Sequence, residues 1–341
     1  MRLLKHISKM STSKHFNIVA LETFFTPLPK LTVPAPHTFS VTQYPRTAVA
    51  EIPERIKDAD IIVTTILPIR ENTLSEEITP KLKLIAVQAS GTDSVDLAAC
   101  ARRGIRVLNS PNCNVDAVAE HAVALYFAAR RSIVPTMKEL RAGEWPKRKT
   151  LMKTAFVAGS SPRSCRQETA VIIGHGGVGR QIEHLLSTLG MKVVIAGRKN
   201  GSTAPGRVEF DQALRDATVI VLCCPRTPET LGMISTAEFD KMRPDAILVN
   251  VARGGIVVED ALLKALQDGK IAGAGVDVFD TEPASPETSV LLETEADGVN
   301  LVVTPHTAWV ALDTTANYQR VLQENIDAFI EDKLPEERLK A

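Results

Sequence analysis

The stretch IIGHGGVG, residues 172–179, reads as the end of a strand running into a glycine-rich turn. The apolar VII (171–173) leads into it. GRQIEHLLSTLG (179–190) follows, with apolar residues at helical spacing and a closing glycine suited to a C-cap. Strand, turn and helix in this order form the first βα unit of a doubly wound sheet. In such a unit Gly174 permits the tight turn, Gly176 lets the backbone approach a pyrophosphate, and Gly179 lets the helix pack on the strand. The helix start offers N–H groups and a positive dipole end to that anion. Gly174, Gly176, Gly177, Val178 and Gly179 are therefore the expected dinucleotide cradle. The alternative is a glycine turn that binds nothing. For His175, between two glycines, the backbone is expected to matter more than the imidazole.

Moving outward, short apolar runs rich in Val and Ile alternate with helix-like segments. FNIVAL (16–21), ADIIVTT (59–65) and LKLIAVQ (82–88) come first; TVIVLCC (218–224), AILVNVA (246–252), IAGAGVDV (271–278) and LVVTPH (301–306) follow the turn. Continuous apolar strands are what a parallel sheet covered on both faces needs. Alternation with helices implies crossover connections. The predicted fold is α/β, with two Rossmann-like doubly wound parallel sheets. Because three strands and the long apolar helix VDAVAEHAVALYFAARR (115–131) precede the glycine turn, that turn opens a second sheet. The dinucleotide-binding domain is expected over 115–308, and a flavodoxin-like substrate domain over 1–114 plus 309–341. The polar stretch 143–168 reads as a surface loop.

An acidic residue that would bind the ribose hydroxyls of NAD is expected about twenty positions beyond the glycine turn. VVIAGRKN (193–200) stands there and carries Gly197, Arg198 and Lys199 instead. Without the acid, nothing repels a 2′-phosphate, while Arg198 offers a guanidinium fork and Lys199 a point charge. This points to NADP(H). The alternative is a solvated basic loop with loose cofactor choice.

Composition narrows the remaining classes. Forty basic and forty acidic residues leave no net charge, so nothing argues for nucleic acid as a partner. No apolar run approaches the roughly 20 residues of a membrane span. Five cysteines without a CxxC make neither a disulfide nor a zinc framework, and no metal site is expected. A reducing compartment fits, with the cytoplasm as the default. The basic, acid-free start MRLLKHISKMSTSKH (1–15) weakly resembles a mitochondrial transit peptide, which leaves that compartment open.

Reactive side chains cluster in the last third. NVARGGIV places Arg253 at the end of one strand, GVDVFDTEP places Asp277 and Glu282 at the end of the next, and TPHTAW places His306 after the one following. Ligands bind at the carboxyl ends of strands in such sheets. Hydride transfer to a ketone needs a proton donor, for which His306 is suited. It needs a cation to hold a carboxylate and polarise the carbonyl, which Arg253 supplies. Glu282 is the carboxylate that would favour the imidazolium form. Taken singly, each residue reads better as a surface salt bridge or a cap; their order behind the glycine turn is what points to the chemistry.

With these motifs in hand, the chain resembles the D-isomer-specific 2-hydroxyacid dehydrogenases, most firmly from Gln88 to Trp309. The resemblance implies that Arg253, Glu282 and His306 are catalytic and that Asp277 holds the nicotinamide carboxamide. It makes Ser90 and Gly91, in SGTDSVD (90–96), candidates for receiving the substrate carboxylate through their amides. It also implies a homodimer built through the cofactor domain. The missing acid is similar to the NADPH-using glyoxylate and hydroxypyruvate reductases of the family. Trp309 is expected near the substrate mouth, and Phe24, Phe25 and Leu67 as pocket lining or, equally, as core. Their bulk would suit a larger substrate such as phenylpyruvate. The implied reaction is NADP(H)-dependent reduction of small 2-oxo acids to 2-hydroxy acids. A nonenzymatic NADP(H)-sensing regulator on the same fold is the alternative.

Overall fold

The computed structural model describes residues 12–156, 159–201, 204–293, 296 and 298–341. Residues 1–11 of the basic leader lie outside them. The chain divides into two compact units, one running through Asn114 and joined by Ala311–Ala341, the other Val115–Val310.

The first unit holds a parallel sheet of β1 (His15–Ala20), β2 (Thr38–Gln43), β3 (Ile61–Thr64), β4 (Leu84–Val87) and β5 (Arg106–Leu108), in the order β2-β1-β3-β4-β5. Every residue of β3 and β4 is buried, as expected for strands covered on both faces. The edge strand β2 and the three-residue β5 were not anticipated. TFSVTQ is largely exposed and mixes polar with apolar positions, and RVL is too short to show a period. The closing helix Leu312–Ile330 buries Leu322 and Ile326 against Ile18, Ile61 and Leu84. Its buried Asn325 donates to the Asn109 carbonyl at 3.1 Å.

The second unit holds β6 (Thr169–Ile173), β7 (Lys192–Ile195), β8 (Val219–Leu222), β9 (Ile247–Asn250), β10 (Gly273–Val276) and β11 (Leu301–Val303), all parallel, in the order β11-β10-β9-β8-β6-β7. The order reverses between β6 and β8, which opens a crevice at their carboxyl ends.

The helix Val115–Arg130 lies on this sheet. Gly275 of β10 makes the close approach: a Cβ there would sit 2.7 Å from Leu125 Cβ. Asn300 Nδ2 donates to the Ala129 carbonyl at 2.8 Å. At the helix end Arg130 is fully buried, with Nε 2.6 Å from Glu168 Oε1 and further bonds to the Thr218 and Asp245 carbonyls.

The segment 143–168 is not wholly irregular. It holds a short helix, Glu144–Arg148, and 3₁₀ turns at Met152–Ala155 and Cys165–Gln167. These elements are three to five residues long, too short to show a period among the Pro, Ser and charged residues of the segment. Among the described residues no helix is long and apolar enough to cross a membrane.

Candidate active site

The glycine turn follows β6 at the crevice. Gly174 has φ +101°, and a Cβ there would lie 2.6 Å from the Cys224 amide nitrogen. A Cβ on Gly179 would lie 2.2 Å from the Gly174 carbonyl oxygen. Both positions exclude a side chain. In front of Gly176 there is open space, and no side chain caps the helix Gly177–Thr188 that starts there. An uncapped twelve-residue helix facing an open cradle fits a pyrophosphate. The His175 imidazole does more than its position between glycines suggested. Its Nε2 lies 2.6 Å from Glu183 Oε2 and ties the loop to the helix. Across the crevice, burial pushes the Cys223 thiol up to about 12 and the Cys224 thiol up to about 11. Neither is a ready thiolate.

After β7 the buried Gly197 donates its amide to the Val208 carbonyl at 2.7 Å. Arg198 is exposed. Its charge reaches Glu229, whose carboxyl lies below the usual range first through a Thr227 hydrogen bond and lastly through Arg198. Lys199 is turned inward: Nζ lies 2.9 Å from the buried Glu238 carboxylate and 2.8 Å from the Met233 carbonyl. The two cations adjacent in sequence are thus differently employed.

At the other side of the unit three turns meet. Arg253 follows β9, Asp277 and Glu282 follow β10, and His306 follows β11. Gly254 lets the first two touch, since a Cβ there would lie 1.8 Å from the Phe279 carbonyl oxygen. The Gly255 amide donates to Asp280 Oδ1 at 2.6 Å, and the Phe279 amide donates to Glu282 Oε1 at 3.0 Å. The second oxygen of Glu282 lies 2.7 Å from His306 Nδ1. Partial burial raises the Glu282 pKa. The His306 hydrogen bond and charge, the Phe279 amide and the Arg253 charge outweigh it, so the carboxyl lies below its ordinary value. Arg253, Glu282 and His306 are therefore brought together.

His306 has φ +53°, a left-handed conformation that a non-glycine side chain adopts only under support. Asp277 gives that support. It is fully buried, its backbone carbonyl accepts the His306 amide at 2.8 Å, and its carboxylate accepts the Thr307 and Ala308 amides at 2.9 and 3.0 Å. Thr304 Oγ1 donates to the same carboxylate at 2.6 Å, and His121 Nε2 lies 2.9 Å from that hydroxyl. Sequence reasoning placed Asp277 at a strand end and gave it a role only through resemblance; it missed Thr304 and His121. The signal available was a histidine in the middle of a largely apolar helix.

Trp309 is half-buried and packs against the cluster of Val118, Ala122 and Ala308. In the other unit, Ser90 and Gly91 follow β4, and Ser90 Oγ lies 3.2 Å from Asn114 Oδ1. Leu67 is core, fixed by Glu22, whose Oε2 accepts the amides of Thr65, Ile66 and Leu67. Phe24 is 60% exposed with the Arg46 guanidinium 4.0 Å above its ring, and Phe25 packs edge-on against it. Among the described residues no group of three His, Cys, Asp or Glu is placed to hold a metal ion.

Comparison with known proteins settles the family. The profile described as "D-isomer specific 2-hydroxyacid dehydrogenase, NAD binding domain" matches residues 123–308. The chain belongs to the D-isomer-specific 2-hydroxyacid dehydrogenases. It is 41% identical to glycerate dehydrogenase of Methylorubrum extorquens over 287 residues, covering 83% of this chain and 86% of that one. It is 33% identical to glyoxylate reductase of Thermococcus litoralis, covering 83% and 84%. Among solved structures it is similar to an NADPH-dependent glyoxylate/hydroxypyruvate reductase from Sinorhizobium meliloti in complex with NADP and malonate. That match has a TM-score of 0.71 and 26% identity and covers 92% of this chain and 93% of that one. The dehydrogenase family supplies the reaction class, oxidoreduction of 2-hydroxy acids. The second unit of this dehydrogenase is its NAD(P)-binding domain.

Proposed function

We propose that this dehydrogenase reduces small 2-oxo acids, glyoxylate and hydroxypyruvate foremost, to D-2-hydroxy acids with NADPH. The observation that carries the reading is the 2.7 Å pair of His306 Nδ1 and Glu282 Oε2 beside Arg253. With Nδ1 turned to the carboxylate, Nε2 is the ring atom left to deliver a proton to the carbonyl oxygen. Arg253 holds the substrate carboxylate and stabilises the charge that grows on that oxygen. The bound nicotinamide supplies the hydride. Ser90 and Gly91 are the proposed amide donors to the carboxylate, and Asp277 fixes the His306 turn from below. Trp309, with its ring half-covered, is the proposed wall of the substrate mouth. The exposed Phe24 is the pocket residue through which a bulkier acid such as phenylpyruvate would be accommodated.

The NADPH preference rests on the absent acid at Gly197 and on the exposed Arg198; Lys199, tied to Glu238, steadies the turn behind it. Names of relatives agree in part: the Sinorhizobium enzyme is described as NADPH-dependent. The proposed assembly is a homodimer through the cofactor domain. Ile133, Val134, Met137 and Leu140 are exposed on the single helix Ile133–Arg141, with Trp145 close by in sequence. So much apolar surface on one segment suits a second copy. The cytoplasm is the proposed compartment.

The test is a rate panel of glyoxylate, hydroxypyruvate, pyruvate and phenylpyruvate, each with NADPH and NADH. Turnover of 2-oxo acids, faster with NADPH, supports the reading. Failure of every acid with both cofactors overturns it and leaves the sensor alternative.

A further inference from the structure

His121 lies in the helix Val115–Arg130, one turn before Leu125, the residue that Gly275 admits onto β10. That close approach sets the imidazole over the ends of β10 and β11, where Asp277 and Thr304 stand. Thr304 Oγ1 has a single hydrogen. At 2.6 Å from Asp277 Oδ1 it gives that hydrogen to the carboxylate, which can only accept. The hydroxyl then has only lone pairs to offer His121 Nε2, 2.9 Å away. The proton between them must therefore belong to the imidazole. His121 Nε2 itself is 3.6 Å from Asp277 Oδ1, within reach of its charge. From Asp277 the chain runs on through its carbonyl and carboxylate to the amides of His306, Thr307 and Ala308.

We infer that His121 is a positioning residue for the proposed proton donor, acting through Thr304 and Asp277. The inference rests on the reading of His306 as acid. The left-handed backbone of His306 is unfavourable by itself and persists only where its surroundings over-determine it. Three donors converge on the buried Asp277 carboxylate, Thr304, Thr307 and Ala308, and His121 stands behind Thr304. His121 is the outermost, a hydrogen-bond donor that reaches the active-site turn from another element. Its removal leaves Thr304 without its donor and lets the hydroxyl and carboxylate relax. A displacement of a fraction of an ångström at His306 is felt in proton transfer more than in binding.

The test compares His121→Leu, which removes the donor, with His121→Gln, which keeps an N–H. Thr304→Val is made alone and combined with His121→Leu. With NADPH and glyoxylate, His121→Leu is expected to lower kcat by roughly three- to tenfold, the worth of a hydrogen bond to a neutral hydroxyl. The KM for glyoxylate and the Kd for NADPH should move less than about twofold. His121→Gln should recover most of the rate. The double variant should be no slower than the slower single variant, because both break one chain. An unchanged kcat in His121→Leu, a Gln variant as slow as the Leu variant, or multiplying effects overturns the inference. His306→Ala, assayed alongside, separates the two readings. If it keeps its turnover, the acid assignment fails; if it loses turnover while His121→Leu does not, only the relay fails.

Discussion

Glu282 Oε2 and His306 Nδ1 lie 2.7 Å apart, although they close two different strand-to-loop turns and are 24 positions apart in the chain. The contact commits one imidazole nitrogen, Nδ1, to the carboxylate and leaves Nε2 as the other. It also places an anion beside the imidazole proposed as the proton donor.

Because the Glu282 carboxyl lies below its ordinary value, the pair should survive acid better than a free carboxylate would. The sign follows from linkage. A depressed pKa gives a contribution that is present above the unfolded value, about 4.3, and is lost as pH falls through the folded one. Reduction is expected to persist as pH falls to about 4.3, while the fold lasts. Glu282→Gln has no carboxyl to protonate in that range, so it should be slower throughout and lack the acid limb of the parent. A pH–rate profile of the two proteins checks this, and superimposable acid limbs would remove Glu282 from the proton account.

Arg198→Ala should weaken NADPH binding by roughly tenfold or more and leave NADH nearly untouched, as expected for a charged hydrogen bond to phosphate of about 1.5–3 kcal/mol. Lys199→Ala should behave differently. Its ammonium holds Glu238 and the Met233 carbonyl, so both cofactors should be affected alike. Fluorescence titration of both variants with both cofactors distinguishes these patterns; equal losses in Arg198→Ala would discard the 2′-phosphate contact.

Arg253→Lys should be poorly tolerated, since an ammonium cannot reproduce the planar fork that a carboxylate accepts. Ketones and aldehydes without a carboxylate should react far more slowly than glyoxylate. Comparable rates for a simple aldehyde would contradict the role of Arg253.

Arg130 and Glu168 form a fully buried ion pair at the amino ends of the strands. Removing one partner strands the other charge, so Arg130→Met should destabilise the second unit by about 3–5 kcal/mol. Replacing both, Arg130→Met with Glu168→Leu, should cost less than the single change. Denaturant unfolding of the three proteins measures the difference.

Much of this was legible in the chain because parallel strands buried on both faces leave continuous apolar runs. GHGGVG, NVARGG and TPHTAW stand at the ends of such runs, so their placement at the carboxyl edge followed. What escaped were features without a period or with a purely tertiary origin. β2 is exposed and β5 is three residues long. The inward turn of Lys199 depends on Glu238, 39 positions away. The His121–Thr304–Asp277 chain depends on Gly275 letting a helix down onto β10, and the residue letters alone do not announce that approach.

The central claim is that His306 delivers the proton. Turnover of glyoxylate with NADPH, measured for the parent protein and for His306→Ala together with the NADPH Kd of each, tests it most directly. The account predicts a loss of about 10²–10⁴-fold in kcat with NADPH binding retained. Near-normal turnover in His306→Ala would show that another group supplies the proton and would contradict the account.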